Sequence, residues 1–238
     1  MAEALARRGD LVVAVGRDPA RLADTAAALA AAGALIPHQT LRLDVSREDE
    51  MAALRSILEQ IGRVDLLVAS AAVGRGLGGR VFPPPTAELP LASWQTMVDV
   101  NLHGVFLANM AVLPLMLAAG DGDIVNIGSS TTPKGLRGTA LAPAYAATKF
   151  ALADFGHRLA EEVAPDGVRV RTIFPGPVET PLIADTLLDG PFGGRISDTN
   201  FSEALLGLID LGRDMSLIDP HFLPVPTRRR RGRTASGY

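Results

Sequence analysis

The sequence contains no cysteine, which excludes disulfides and thiolate metal sites. Histidines number four (His38, His103, His157 and His221), dispersed without ligand spacing, so no metal is expected. Aromatic residues make up 5% of the chain, with one tryptophan and two tyrosines. Charge of one sign is also lacking: a net charge of -3 gives no electrostatic case for a nucleic-acid partner. No apolar run reaches membrane-spanning length. The first eight residues read as an amphipathic helix fragment rather than a signal peptide. A cytoplasmic protein without nucleic-acid or membrane partners is the expectation. What is present is core-forming material, with 47% hydrophobic and 21% charged residues among 238, enough for one large domain or two small ones.

Residues 11–15 form a continuous apolar run, the mark of a buried parallel strand. An alanine-rich helix is expected over 21–31, and a short strand over 40–43 that ends at Asp44. A helix follows over 46–61, with Ser46 as N-cap and Glu48, Asp49 and Glu50 suiting the helix dipole. Residues 64–70 are a second buried strand. Strands alternating with helices predict an α/β fold with a Rossmann-like, doubly wound parallel sheet. No internal repeat is present. Residues 74–79 match G-x-G-x-x-G literally, but three prolines follow at 83–85 and no helix opens. A dinucleotide fingerprint needs a strand before it and a helix after it, so residues 74–91 are expected to form a flexible loop. Residues 1–227 read as one domain. Residues 228–238, with Arg228 to Arg231 and Arg233, read as a basic, solvated tail.

Tyr145 and Lys149 stand four apart at the start of a helical pattern, on one helix face. An ammonium beside a phenol favours the phenolate, lowers its pKa and readies it for proton exchange with an alcohol or carbonyl oxygen. Upstream, the strand Ile124-Val125-Asn126-Ile127 runs into Gly128-Ser129-Ser130, and Asn101 lies in the first turns of a long apolar helix. Downstream, the strand over 168–174 ends in Pro175-Gly176-Pro177-Val178-Glu179-Thr180.

This order of Asn, Ser, Tyr-x-x-x-Lys and Pro-Gly-x-x-x-Thr resembles the short-chain dehydrogenase/reductase family over residues 1–227. The resemblance implies hydride transfer between a nicotinamide cofactor and a secondary alcohol or ketone. Tyr145 would be the general acid or base. Lys149 would lower its pKa and hold the ribose hydroxyls. Ser129 would polarise the substrate oxygen, and Asn101 would fix a relay water. Ser129 stands at the strand end, where the family serine stands, but sixteen residues before Tyr145. Thr132 sits nearer the usual gap. Ser129 is preferred because the strand end fixes position, followed by Ser130 and Thr132.

On the cofactor side the resemblance assigns Asp44 and Val45 to adenine, Ala69 and Ala71 to close cofactor approach, and Pro175, Gly176, Val178 and Thr180 to the nicotinamide. Arg17, following Gly16, favours NADP(H), since a guanidinium can fork onto a 2′-phosphate. Asp18 as a ribose reader, and NAD(H), stay open. Residues 179–194 would flap over a moderately apolar substrate. The helices over 101–117 and 145–163 resemble the family's pairing surface, implying a homodimer or homotetramer. The family's first strand and Thr-Gly-x-x-x-Gly-x-Gly turn precede the stretch resembling residues 2–8 and have no counterpart here. A late start codon and a natural truncation are both compatible with this. The expectation is that the chain as written binds NADPH weakly and that an upstream extension restores binding. The alternative function is a non-catalytic scaffold or sensor.

Overall fold

The computed structural model describes residues 1–32, 38–74, 85–130, 143–183, 193–215 and 217–225. The strands are β1 (Val13–Gly16), β2 (Gln39–Arg42), β3 (Leu66–Ala69), β4 (Gly122–Ile127), β5 (Val168–Pro175) and β6 (His221–Phe222). The helices are α1 (Ala2–Arg8), α2 (Pro19–Ala31), α3 (Glu48–Ile61), α4 (Leu91–Val98), α5 (Gly104–Ala119), α6 (Pro143–Val163) and α7 (Asp198–Ile209). All strand pairing is parallel, as the alternation predicts.

The sheet is in two pieces. β1 pairs with β2, and β3, β4, β5 and β6 form a second run in that order. Among the described residues β1 and β3 therefore each keep one edge without a strand partner. The expectation of buried strands at 11–15 and 64–70 is corrected accordingly. β1 is half-buried throughout and β3 is half-buried except at Ala69, whereas β4 is buried from Gly122 to Asn126. α1 spans the two pieces. Its Ala2, Leu5 and Ala6 pack with Val12 and Leu29, Met1 joins the cluster around Val125, Ile173 and Leu205, and Arg8 pairs with Asp210 beyond α7.

The opposite face holds the main core. Met51, Leu54 and Leu58 of α3, Val112 and Met116 of α5, and Leu159 and Val163 of α6 pack on Ile124, Val168 and Val170. α6 presses directly on β5, because a Cβ at Gly156 would lie 1.9 Å from Thr172 Oγ1. At the N-terminal ends of β4 and β5, Asp123 accepts from Arg169 at 2.9 Å and Arg171 at 2.8 Å, fixing their register with charge-assisted bonds.

Two local expectations change. α2 starts at Pro19 because Asp18 caps it, accepting from Ala20 N at 2.9 Å and Arg21 N at 3.3 Å. Ser46 does not cap α3. Its hydroxyl donates to Asp44 Oδ1 at 2.7 Å, and Arg47 takes the N-cap position without a side-chain bond. The apolar helix also departs from its reading. Residues Leu91–Ala119 are long and apolar enough to cross a membrane by length and composition. They pack on the core through Val105, Val112 and Met116 and bury Asn101 and Asn109. Asn109 Nδ2 donates to Val105 O at 2.7 Å and Asn126 Oδ1 at 3.0 Å, so the segment reads as a core helix braced to β4.

Candidate active site

The C-terminal ends of β3, β4 and β5 converge on one buried polar cluster. β4 runs out at Ile127 into Gly128, Ser129 and Ser130. Two bonds hold this turn against β5: Gly128 N donates to Ile173 O at 2.7 Å, and Ser130 N donates to Pro175 O at 2.9 Å. α6 then presents Tyr145 and Lys149 on the same face. The Ser129 hydroxyl shares a hydrogen bond with the Tyr145 phenol. Lys149 Nζ donates to Ile127 O at 2.7 Å and lies 5.7 Å from the centre of the Tyr145 ring.

Asn101 enters from a π-turn, Asp99–His103, between α4 and α5. The wider turn swings this residue fully inward, and such bulges recur at functional sites. Val73 N donates to Asn101 Oδ1 at 2.7 Å, and Asn101 Nδ2 donates to Val73 O at 2.9 Å. That clasp draws the segment after β3 toward α6. Asn101 Nδ2 also donates to Thr148 Oγ1 at 3.3 Å, and Thr148 Oγ1 donates to Tyr145 O at 2.8 Å. Thr148 went unnoticed in the sequence, although its place three after Tyr145 puts it on the same face. Close packing extends to α5, since a Cβ at Gly104 would lie 2.8 Å from Val45 Cγ2.

The electrostatics differ from expectation. Burial pushes the Tyr145 phenol up, against the Ser129 hydrogen bond, which lowers it. Burial lowers the Lys149 ammonium to about 8. The net shift of the phenol is thus upward, set by burial, while the Lys149 ammonium donates to the Ile127 carbonyl and lies over the ring.

The remaining assigned residues fall into place in part. Ala69 is buried at the end of β3, and Ala71 is exposed two residues on. Pro175 closes β5, and Gly176 N donates to Phe222 O at 2.7 Å. Val178 bridges to Ile196. Thr180 O accepts from Ile183 N at 3.1 Å, opening a turn. Thr132, residues 75–84, the flap residues Leu187, Leu188 and Phe192, and the arginine tail lie outside the described residues.

A second feature opens at the ends of β1 and β2. A cleft of about 750 Å³ is lined by Arg17, Arg42 and Arg47, with Asp18, Asp44 and Glu50 around Leu43. Asp44 accepts from Ser46 N at 3.0 Å and from its hydroxyl, and Arg17 stands 3.9 Å from its other oxygen. Burial pushes the Asp44 carboxyl up, but the Ser46 bonds and then Arg17 and Arg47 outweigh it, and the net shift is downward. Arg42 and Arg47 were absent from the sequence reading; a charged residue at a strand end gave no signal beyond ordinary solvation.

Fold and site together define a Rossmann-like α/β protein with a half-buried tyrosine beside a buried lysine at the carboxyl edge of its sheet. The chain belongs to the short-chain dehydrogenase family, a family of oxidoreductases, whose model matches residues 1–189. It is 35% identical over 187 residues to an oxidoreductase of Staphylococcus saprophyticus, covering 78% of this chain and 75% of that one. It is 36% identical over 186 residues to the cis-4-hydroxycyclohexanecarboxylate dehydrogenase of Sinomonas cyclohexanicum, covering 77% and 69%. Among solved structures, the alcohol dehydrogenase of Thermococcus sibiricus complexed with 5-hydroxy-NADP superposes with a TM-score of 0.79. It has 26% identity, over 95% of this chain and 91% of that one.

Proposed function

We propose that the chain is an NADP(H)-dependent oxidoreductase that interconverts a secondary alcohol and a ketone, with Tyr145 as general acid and base. The reading rests on one observation: Asn101, Ser129, Tyr145 and Lys149, distant in sequence, meet in a single buried cluster. The residues fit a nicotinamide cofactor at both ends. Asp44 keeps one carboxylate oxygen for the adenine amino group. Arg17 faces the same cleft, while Asp18 is taken up by the α2 cap and is poorly placed to read a ribose.

When bound, the nicotinamide supplies or accepts the hydride. Tyr145 delivers its proton to the substrate oxygen in reduction and takes one back in oxidation. A phenol held above its ordinary pKa stays protonated at neutral pH, which suits delivery. Ser129, bonded to that phenol, aligns the same oxygen. Lys149, about 8 and so mostly charged at pH 7, holds the ribose hydroxyls. Asn101 holds the relay water beside it. The Sinomonas relative, named for a ring-borne secondary alcohol, supports this substrate class. So does a 3-alpha-(or 20-beta)-hydroxysteroid dehydrogenase of Mycobacterium tuberculosis, 37% identical over 143 residues and matched over 51% of its length. Exposed Phe106 and Met110 on α5 and Phe150 on α6 supply an apolar face for a cytoplasmic homodimer.

A non-catalytic scaffold is the second reading, favoured by the half-buried β1 and β3 on the cofactor side. Tyr145→Phe separates the two. Turnover of secondary alcohols with NADP should fall by ~10²–10⁴-fold while NADPH affinity holds. Wild-type turnover in that variant would overturn the mechanism. A parent protein inert toward every alcohol and ketone tried would support the scaffold.

A further inference from the structure

We propose that Arg42 is a specificity-determining residue that reads the 2′-phosphate of the cofactor together with Arg17. This rests on the NADP reading above. Three observations carry it.

First, register brings the two arginines to one mouth. Gly16 is the partner of Arg42 on the neighbouring strand, and Leu43 N donates to Gly16 O at 2.9 Å, so Arg17 leaves its strand directly beside Arg42. Both line the same cleft.

Second, the other charges in that cleft are committed. Asp18 caps α2 and pairs with Arg21 at 3.5 Å. Glu50 accepts from Asp44 N at 2.6 Å and pairs with Arg47 at 3.2 Å. Arg47 also pairs with Asp49 at 3.3 Å. Arg17 is held only loosely, 3.9 Å from Asp44. Among the described arginines, Arg42 is the one whose guanidinium has no acceptor; even exposed ones such as Arg55 and Arg63 have found a carboxylate. A planar fork of five donors with no acceptor, beside a second weakly paired fork, is matched to a phosphate dianion.

Third, the strand end is bare. A Cβ at Gly16 would meet only Leu22, at an ordinary 3.4 Å, and its backbone is not left-handed, so no protein neighbour requires glycine there. Gly16 therefore adds no side chain to the strand end from which Arg17 and Arg42 leave.

The test uses 2′,5′-ADP and 5′-ADP, which differ only in the 2′-phosphate, titrated into the full chain by calorimetry. The parent should prefer 2′,5′-ADP by about tenfold or more. Arg42→Gln should lose most of that preference with 5′-ADP affinity unchanged, and Arg42→Lys should recover part of it, keeping charge without the fork. Thermal melting checks that each variant folds. If Arg17→Ala abolishes the preference and Arg42→Gln leaves it intact, the Arg42 proposal fails while the NADP reading stands. If the parent binds both probes equally, or neither at millimolar concentration, both fall.

Discussion

Val125 and Val68 are register partners on adjacent strands, yet they stand in different worlds. Val125, on β4, is fully buried; Val68, on β3, is half-buried. The same contrast runs through their strands, although Leu66-Leu67-Val68 is as apolar as Ile124-Val125. Burial of a parallel strand depends on having a neighbour on each edge as well as a helix on each face. β4 has both neighbours, whereas β1 and β3 each lack one among the described residues. The consequence is a division of labour within one sheet. The Ser129–Tyr145–Lys149 cluster stands on the well-packed half, and the arginine cleft stands on the β1–β2 half, whose strands are at most half-buried.

The largest expected effect tests that division directly. Val125→Ala should lower the unfolding free energy by about 2–3 kcal/mol, for two lost methyls and a cavity that cannot collapse. Val68→Ala should cost less than about 1 kcal/mol, because that site already meets solvent. Urea unfolding of the two variants gives the comparison. Equal costs would mean that β3 is as well packed as β4.

Next in size is a test of the catalytic half. Ser129→Ala should reduce turnover by tens-fold or more, as expected for losing a donor aimed at the reacting oxygen. Thr132→Ala should leave it near the parent value. The reverse pattern would show that spacing from Tyr145, rather than the end of β4, locates the serine role.

The smallest effect sharpens the electrostatics. Lys149 has a folded-state pKa of about 8 against an ordinary 10.5. Its ammonium therefore binds its proton less well folded than unfolded. That cost is present in full below about pH 8 and is relieved as pH rises toward 10.5. Lys149→Met should be the more stable protein at pH 7, by on the order of 1–2 kcal/mol after losing the bond to Ile127. The gap should close between pH 8 and 10.5. A gap that stays constant with pH would show that the lysine is not destabilised by burial.

Much of this was legible in the chain. The alternating elements announced a parallel α/β sheet, and the order of Asn101, Ser129, Tyr145 and Lys149 picked out residues that the fold brings together. What escaped had physical reasons. Ser46 looked like a cap, but Asp44, two residues away, competes for its hydroxyl. A single π-turn is too short to disturb the apolar pattern of the helix around it, so the inward swing of Asn101 could not be read. The direction of the Tyr145 shift is set by burial, and spacing on a helix fixes the face but not how deeply the phenol sits. Arg42 carried no motif, and its lack of an acceptor appears only once every other arginine has been paired.

Thr172 Oγ1 would lie 1.9 Å from any Cβ at position 156, so the backbone of α6 bears on β5 at that point. Mechanically, α6 is a lever and Gly156 its fulcrum. Tyr145 rides the long arm, roughly 16 Å away at about 1.5 Å per residue. A single methyl at the fulcrum would tilt the arm and carry the phenol out of line with Ser129, so the aim of the Tyr145 hydroxyl is set by a residue that touches neither it nor Ser129.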